Sequence, residues 1–146
     1  MANEAGLVVV LSGPSGVGKT TVADKLVAEG ICERIVTATT RAPRAGERDG
    51  ADYEFLSKKD FLQKVDKGWF LEYAEVYGNY YGTPLSKVQH CLHEGKAALL
   101  LIDVQGARQL RRAGFPALYI FLAPLDEHTL QNRLFNRKRD AQQDMD

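Results

Sequence analysis

A glycine-rich segment, GPSGVGKT at positions 13–20, constrains the fold more than any other part of this sequence. It matches the pattern GxxxxGK[ST], whose glycines let backbone N–H groups point inward around a polyphosphate without a Cβ in the way. The lysine reaches the β- and γ-phosphate oxygens, and the hydroxyl that follows is a ligand for Mg²⁺. The segment therefore predicts a nucleoside triphosphate site. Its candidate residues are Gly13, Ser15, Gly16, Val17, Gly18, Lys19, Thr20 and Thr21.

The residues on either side of this segment support a phosphate site. LVVVLS (7–12) is a continuous apolar run, typical of a strand that is buried on both faces. TTVADKLVAEG (20–30) has apolar residues at helical spacing and ends on Gly30, which suits a helix C-terminus. A strand leading into the turn and a helix leading out of it favour a phosphate cradle over a turn without a chemical role.

The same alternation continues towards the end of the chain. AALLLID (97–103) and ALYIFLA (117–123) are two further buried strands, and helical patterns cover 104–114 and 126–139. Strands buried on both faces that alternate with helices predict a parallel sheet with helices on both sides. The fold class is therefore α/β, with the three layers of a P-loop NTPase.

The stretch from 35 to 82 interrupts this pattern. It is rich in tyrosine, glycine and charge, and it predicts an inserted lobe of mixed β structure around one helix, KKDFLQKVDKG. Its predicted strands are IVTATT, ADYEFL and WFLEYAEV. A further helix is predicted to start at the end of the lobe, with Thr83 as N-cap and Pro84 at the first helical position.

Composition and charge exclude several classes of protein. With 146 residues, 45% of them hydrophobic, the chain has one domain's worth of sequence and is not disordered. The 19 basic residues balance the 19 acidic ones, which argues against nucleic-acid and membrane-surface partners. No run is long enough to span a bilayer, the N-terminus lacks a basic leader, and Cys32 and Cys91 have no CxxC spacing. We therefore expect a cytoplasmic protein with reduced thiols.

A triphosphate site leaves the reaction open. A P-loop protein hydrolyses the triphosphate as a switch or motor, or passes the phosphoryl group to a small acceptor. The inserted lobe favours transfer, because a kinase for small acceptors needs a second site, closed from water, beside the γ-phosphate.

Four segments together resemble guanylate kinases: GPSGVGKTT (13–21), TATTRAPRAGERDGADYEF (37–55), FLEYAEVYGNYYGTP (70–84) and LLLIDVQGA (99–107). The resemblance runs from about residue 7 to about 140. It implies transfer of the γ-phosphoryl group of ATP to GMP, giving ADP and GDP, with Mg²⁺. It also implies a single domain over 1–146, with a core (1–34 and 84–125), a GMP-binding lobe (35–83) and a partial lid (126–146).

The resemblance assigns four residues of the lobe to the GMP phosphate. Arg41 and Arg44 lie three positions apart in a loop, and arginines of this kind suit a bidentate grip on a phosphate monoester. Tyr53 and Tyr81 match tyrosines of the family whose hydroxyls donate to the same phosphate.

Glu72 is the candidate for recognition of the base. Alternation along WFLEYAEV predicts that it shares a face with Phe70, Ala74 and Val76. Guanine offers N1–H and N2–H₂ side by side to one carboxylate, whereas adenine has no such pair of donors. The resemblance adds Thr37 and Thr83, at positions where the family directs a hydroxyl towards the base.

Asp103 ends a buried strand, where P-loop proteins keep an acidic residue near Mg²⁺. We expect Thr20 and Asp103 to hold the metal, and Asp103 also to contact GMP. Related kinases carry a second Asp two positions before the first, and this chain has Leu101 there.

Arg133 and Arg137 match the RLxxR motif with which the family clamps the donor phosphates at the edge of a mobile lid. Positive charge around a transferring phosphoryl group stabilises its transition state, so the predicted catalytic residues are Lys19, Arg41, Arg133 and Arg137. Asn136 and Lys138 replace small residues of the family motif, which predicts a stiffer lid hinge.

Two alternatives remain open on the sequence. One is a guanylate kinase-like binding module without catalysis, against which the intact Lys19 and Thr20 argue. The other is a P-loop kinase for a different nucleoside monophosphate. Against the family pattern the sequence stops inside the lid; if the protein ends at Asp146, GMP binding is expected to survive better than catalysis. Oligomeric state is not predicted.

Overall fold

The computed structural model describes residues 6–14 and 18–123, and the account below concerns those residues. Strands and helices alternate along this part of the chain. In order they are β1 (Val8–Ser12), α1 (Lys19–Ala28), β2 (Glu33–Arg34), β3 (Ala38–Thr39), β4 (Glu54–Phe55), α2 (Lys58–Asp66), β5 (Phe70–Val76), β6 (Asn79–Pro84), α3 (Leu85–His93), β7 (Ala98–Leu101), α4 (Val104–Arg112) and β8 (Leu118–Phe121).

The first sheet has the strand order β2-β7-β1-β8 and is parallel throughout. Its centre is β1, every residue of which is buried, as the apolar run predicts. Val10 is in register with Leu100 on one side and with Tyr119 on the other. The predicted α/β class with a parallel sheet is confirmed.

Helices cover both faces of this sheet. On one face Val9, Leu11 and Leu99 pack with Ala23 of α1. On the other face the alternate residues of the strands pack against α3 and α4, which contribute Val88, Cys91, Ala107 and Leu110. This arrangement gives the three predicted layers, because each side of a fully buried sheet needs its own cover. No helix among the described residues is long and apolar enough to cross a bilayer.

The second sheet is mixed and has the order β4-β3-β6-β5. Strands β3 and β4 are parallel, whereas β6 runs antiparallel to both β3 and β5. Helix α2 covers it through Phe61, whose ring is fully buried and stacks on Phe70 and Tyr80 with centroid distances of 4.5 and 5.3 Å. The predicted mixed β structure around one helix is therefore present.

Strand β6 was not predicted from the sequence. It forms a hairpin with β5 through a two-residue turn, Tyr77-Gly78, in which both residues have positive φ, 51° and 83°. Turns of this kind match the twist of the strands that they join. The Tyr-Gly pair between two tyrosine-rich runs was the local signal for the hairpin.

The predicted start of the next helix is wrong by one residue. Strand β6 continues through Pro84, which pairs with Phe70 and has extended backbone angles (φ −65°, ψ 122°), so α3 begins at Leu85. Thr83 does not cap this helix, because its hydroxyl donates to a carboxylate on the neighbouring strand. Tertiary pairing thus overrides the local Thr-Pro signal.

Candidate functional site

A cavity of about 300 Å³ lies where the core sheet meets the lobe sheet. It brings together seven of the predicted site residues. The core supplies Lys19, Thr20 and Asp103, and the lobe supplies Thr37, Tyr53, Glu72 and Tyr81. Residues of the core and of the lobe therefore line a single space, as expected for two substrates that must meet.

The triphosphate side of the cavity is formed by the turn between β1 and α1. Gly18 is the N-cap residue of α1, with φ 95°, and Lys19 is the first residue of the helix. The Lys19 ammonium donates a 2.8 Å hydrogen bond to the carbonyl oxygen of Gly13, so the side chain folds back over the turn. The positive end of the helix dipole and this ammonium together favour an anion here. Predicted residues Ser15, Gly16 and Val17 lie outside the described residues, and Thr21 is exposed on α1.

Glu72 lines the same cavity from β5 and is only 5% exposed. Its Oε2 accepts a 2.6 Å hydrogen bond from the hydroxyl of Thr83, its partner on β6. Burial raises the pKa of Glu72 to about 7; the Thr83 hydroxyl lowers this pKa and the charge of Asp103 raises it. A carboxylate in this setting needs further donors, which a ligand in the cavity would supply.

The predicted face of β5 is correct for two residues and wrong for one. Ala74 and Val76 line the cavity together with Glu72, as alternation predicts. Phe70 instead stacks on Phe61, because the register shifts between Phe70 and Glu72. A bulge of this kind turns a strand residue to the opposite face.

The predicted phosphate-binding loop is organised around Glu47. Both carboxylate oxygens of Glu47 accept from the guanidinium of Arg41 at 3.0 Å, and Oε1 also accepts from the backbone N–H of Arg44 at 2.8 Å. The Arg41 guanidinium lies 5.1 Å from the centre of the Tyr53 ring. Hydrogen bonding to Arg41 lowers the pKa of Glu47. Glu47 therefore aims Arg41 towards the tyrosine side of the cavity.

The two predicted arginines thus differ in their surroundings. The pKa of Arg41 is raised, chiefly by its hydrogen bonds to Glu47. Arg44 is exposed, and its side chain makes no hydrogen bond among the described residues. Arg41 is therefore held by Glu47, whereas the Arg44 side chain is exposed, and neither arginine is among the residues that line the cavity.

Asp103 is the N-cap residue of α4, and its Oδ2 accepts from the backbone N–H of Gln105 at 2.9 Å. Its other carboxylate oxygen makes no hydrogen bond within residues 6–14 and 18–123, and Asp103 lines the same cavity as Thr20. A carboxylate and a hydroxyl fit Mg²⁺, which takes oxygen ligands and uses few from the protein when phosphates supply the rest. The donor set at Thr20 and Asp103 therefore fits the implied cation.

Comparison with known proteins matches the chain to a family. The family model described as guanylate kinase covers residues 6–146. The chain belongs to the guanylate kinase family. It is 42% identical to the guanylate kinase of Clostridioides difficile over 142 aligned residues. The aligned region covers 97% of this chain and 69% of that protein. The guanylate kinase of Lactobacillus johnsonii is 49% identical over 138 residues, or 93% of this chain and 68% of that protein.

A solved structure is similar as well. The crystal structure of guanylate kinase from Anaplasma phagocytophilum has a TM-score of 0.71 and 36% identity, covering 89% of this chain and 66% of that one. The chain thus spans about two thirds of the length of these relatives and is shorter than they are. The predicted resemblance is confirmed, and so is the enzyme class. As guanylate kinases, its relatives are nucleoside monophosphate kinases, which are transferases.

Three residues at this guanylate kinase site were missed by sequence reasoning. Glu47 could have been found, since an acid within reach of two loop arginines is a local signal. Arg34 lines the cavity from β2, and nothing in the sequence of this two-residue strand indicates that Arg34 belongs to the site. Gly106 packs against Glu72, and its only signal is a glycine inside a helix. The predicted lid residues Arg133, Asn136, Arg137 and Lys138 lie outside the described residues.

Proposed function

We propose that this chain transfers the γ-phosphoryl group of ATP to GMP, giving ADP and GDP. The observation that carries the proposal is the buried carboxylate of Glu72 in a cavity that also holds Lys19 and Thr20. Such a carboxylate is costly to bury unless a ligand pairs with it. Its presence in the same cavity as Lys19 and Thr20 supports an acceptor base that binds beside the donor.

Guanine recognition follows from the hydrogen-bonding capacity of Glu72. An ionised carboxylate has about four lone-pair sites, and the Thr83 hydroxyl uses one of them. The N1–H and N2–H₂ of guanine are adjacent donors that fit the remaining lone-pair sites of the carboxylate. Thr37 adds a hydroxyl from the same cavity. Adenine offers no such pair and leaves the buried carboxylate without partners, so AMP is rejected.

The GMP phosphate is assigned to Arg41, Arg44, Tyr53 and Tyr81. A guanidinium has five N–H donors, and three hydrogen bonds of Arg41 go to Glu47 and to the carbonyl of Ala42. The remaining donors serve the phosphate, with the tyrosine hydroxyls beside them. Glu47 holds the arginine in one orientation, which lowers the entropy lost on binding.

Transfer itself needs charge and alignment more than proton chemistry. Lys19 and the turn amides hold ATP, and Thr20 and Asp103 would hold Mg²⁺, which neutralises phosphate charge when bound. Arg41, Arg133 and Arg137 add positive charge around the transferring group. In the same proposal, residues 1–34 and 84–125 form the core, 35–83 the GMP-binding lobe and 126–146 the partial lid.

The test compares ADP formation from ATP with GMP, AMP and dTMP as acceptors, with Lys19→Met as the inactive control. We expect turnover with GMP and little with AMP or dTMP, and none in the control. Turnover that favours another acceptor would contradict the assignment of Glu72. GMP binding without turnover on any acceptor would favour a binding module instead. The cytoplasmic location and the absence of nucleic-acid partners remain predictions from the sequence.

A further inference from the structure

Gly106 lies inside a helix, where its backbone conformation does not require glycine. It lies in the first turn of α4, and its φ is not positive, unlike that of most glycines in this chain. Glycine is the least favourable helix residue after proline, because it loses the most backbone entropy. Something other than backbone conformation must therefore account for it.

The space beside Gly106 is taken by Glu72. A Cβ at Gly106 would overlap Oε1 of Glu72 and would stand 3.0 Å from its carboxyl carbon. The other oxygen, Oε2, is held by the Thr83 hydroxyl. The carboxylate is thus enclosed between a glycine of the core and a hydroxyl of the lobe, and it is 5% exposed.

The backbone of β5 around Glu72 is hydrogen-bonded to side chains of α4. The Gln109 side chain, one turn after Gly106, accepts from the backbone N–H of Tyr73 at 3.4 Å and donates to its carbonyl at 2.5 Å. Gln105 donates to the carbonyl of Glu75 at 3.3 Å. Because β5 is at the edge of its sheet, these side chains satisfy backbone groups that would otherwise lack partners. The strand therefore cannot shift away to admit a larger residue without losing these bonds.

We propose that Gly106 is a positioning residue for guanine specificity, because its missing side chain lets α4 approach β5 while the Glu72 carboxylate stays in the cavity. The inference rests on the proposed function, in which Glu72 accepts from guanine. Gly106 is not among the residues that line the cavity. It acts through the position of Glu72.

The activity test uses Gly106→Ala. A Cβ would displace the Glu72 carboxylate from the guanine donors, and loss of a hydrogen bond to a charged group costs about tenfold or more in apparent affinity. We expect the KM for GMP to rise by about that factor, with the KM for ATP nearly unchanged and the preference for GMP over AMP reduced. Equal changes in both KM values, or an unchanged KM for GMP, would overturn the proposal.

A second readout does not depend on turnover. We expect Gly106→Ala to lower Tm in the chain with Glu72 and to raise Tm in a Glu72→Ala background, where the overlap is gone and alanine is the better helix former. A change of the same sign in both backgrounds would overturn the proposal, as would failure of both Gly106→Ala chains to fold. If the unsubstituted chain shows no GMP-dependent turnover, the proposed function fails. The opposite signs of the two Tm changes still test whether Gly106 makes room for Glu72, and GMP affinity measured by calorimetry then replaces the KM for GMP.

Discussion

The hydroxyl of Thr83 donates a 2.6 Å hydrogen bond to Oε2 of Glu72, and the two residues face each other across neighbouring antiparallel strands. Both side chains are buried, at 1% and 5% exposure. The bond supplies a donor to a group that burial penalises, and it leaves the other lone pairs of the carboxylate for the cavity. In the proposed function, base recognition therefore depends on a cross-strand pair within the lobe.

Glu72→Gln is expected to weaken GMP binding far more than ATP binding. The amide keeps the shape of the side chain but presents a neutral oxygen and an N–H₂ group that opposes the guanine donors. Loss of a charge-assisted bond costs about 1.5–3 kcal/mol, or about a 10- to 100-fold rise in the KM for GMP. Steady-state kinetics with each substrate varied in turn measure the effect. Equal effects on the two KM values would remove Glu72 from base recognition.

The stability of the free protein is expected to fall as pH rises from 5 to 8. The pKa of Glu72 is raised to about 7 in the folded chain, so the folded state holds a proton that the unfolded state has already lost. The free energy of unfolding therefore decreases from about pH 5 and levels off above pH 7, by a total of about 2–4 kcal/mol. Urea unfolding at several pH values measures the slope, and Glu72→Gln should flatten it. A wild-type curve that is itself flat over this range would contradict the raised pKa.

Arg41→Lys is expected to raise the KM for GMP by about tenfold or more, because lysine lacks the planar fork that binds Glu47 and phosphate together. Arg48→Lys is the matched control from the same loop. Arg48 is exposed, and its side chain makes no hydrogen bond among the described residues. GMP titrations at fixed ATP compare the two variants. A similar KM for both would show that the bidentate contact of Arg41 is unimportant.

Gln109→Ala is expected to lower the free energy of unfolding by about 1–2 kcal/mol, because two hydrogen bonds to the Tyr73 backbone are lost. Gln105→Ala, which removes one longer bond to Glu75, serves as the control and should cost less. Urea unfolding gives both values. We also expect the KM for GMP to rise in Gln109→Ala, since Tyr73 is next to Glu72. Equal costs for the two glutamines would contradict a special role for Gln109.

Much of the core was predictable because its signals are local. The runs 7–12, 97–103 and 117–123 are apolar throughout, and only strands buried on both faces need that pattern. The glycine-rich turn marks the phosphate side of the site, and alternation along β5 places Glu72 with Ala74 on the cavity face. These features depend on residues close together in the chain.

The contacts that complete the site join residues that are distant in sequence. Glu72 meets Thr83 through a hairpin and Gly106 through the docking of α4, and Phe70 leaves the predicted face because of a register shift. The sequence by itself determined the fold class, the family and the residue types available for chemistry. Only the tertiary structure decided which lone pairs of Glu72 are occupied and why position 106 has no side chain. The first depends on the pairing of β5 with β6, and the second on how closely α4 packs against β5.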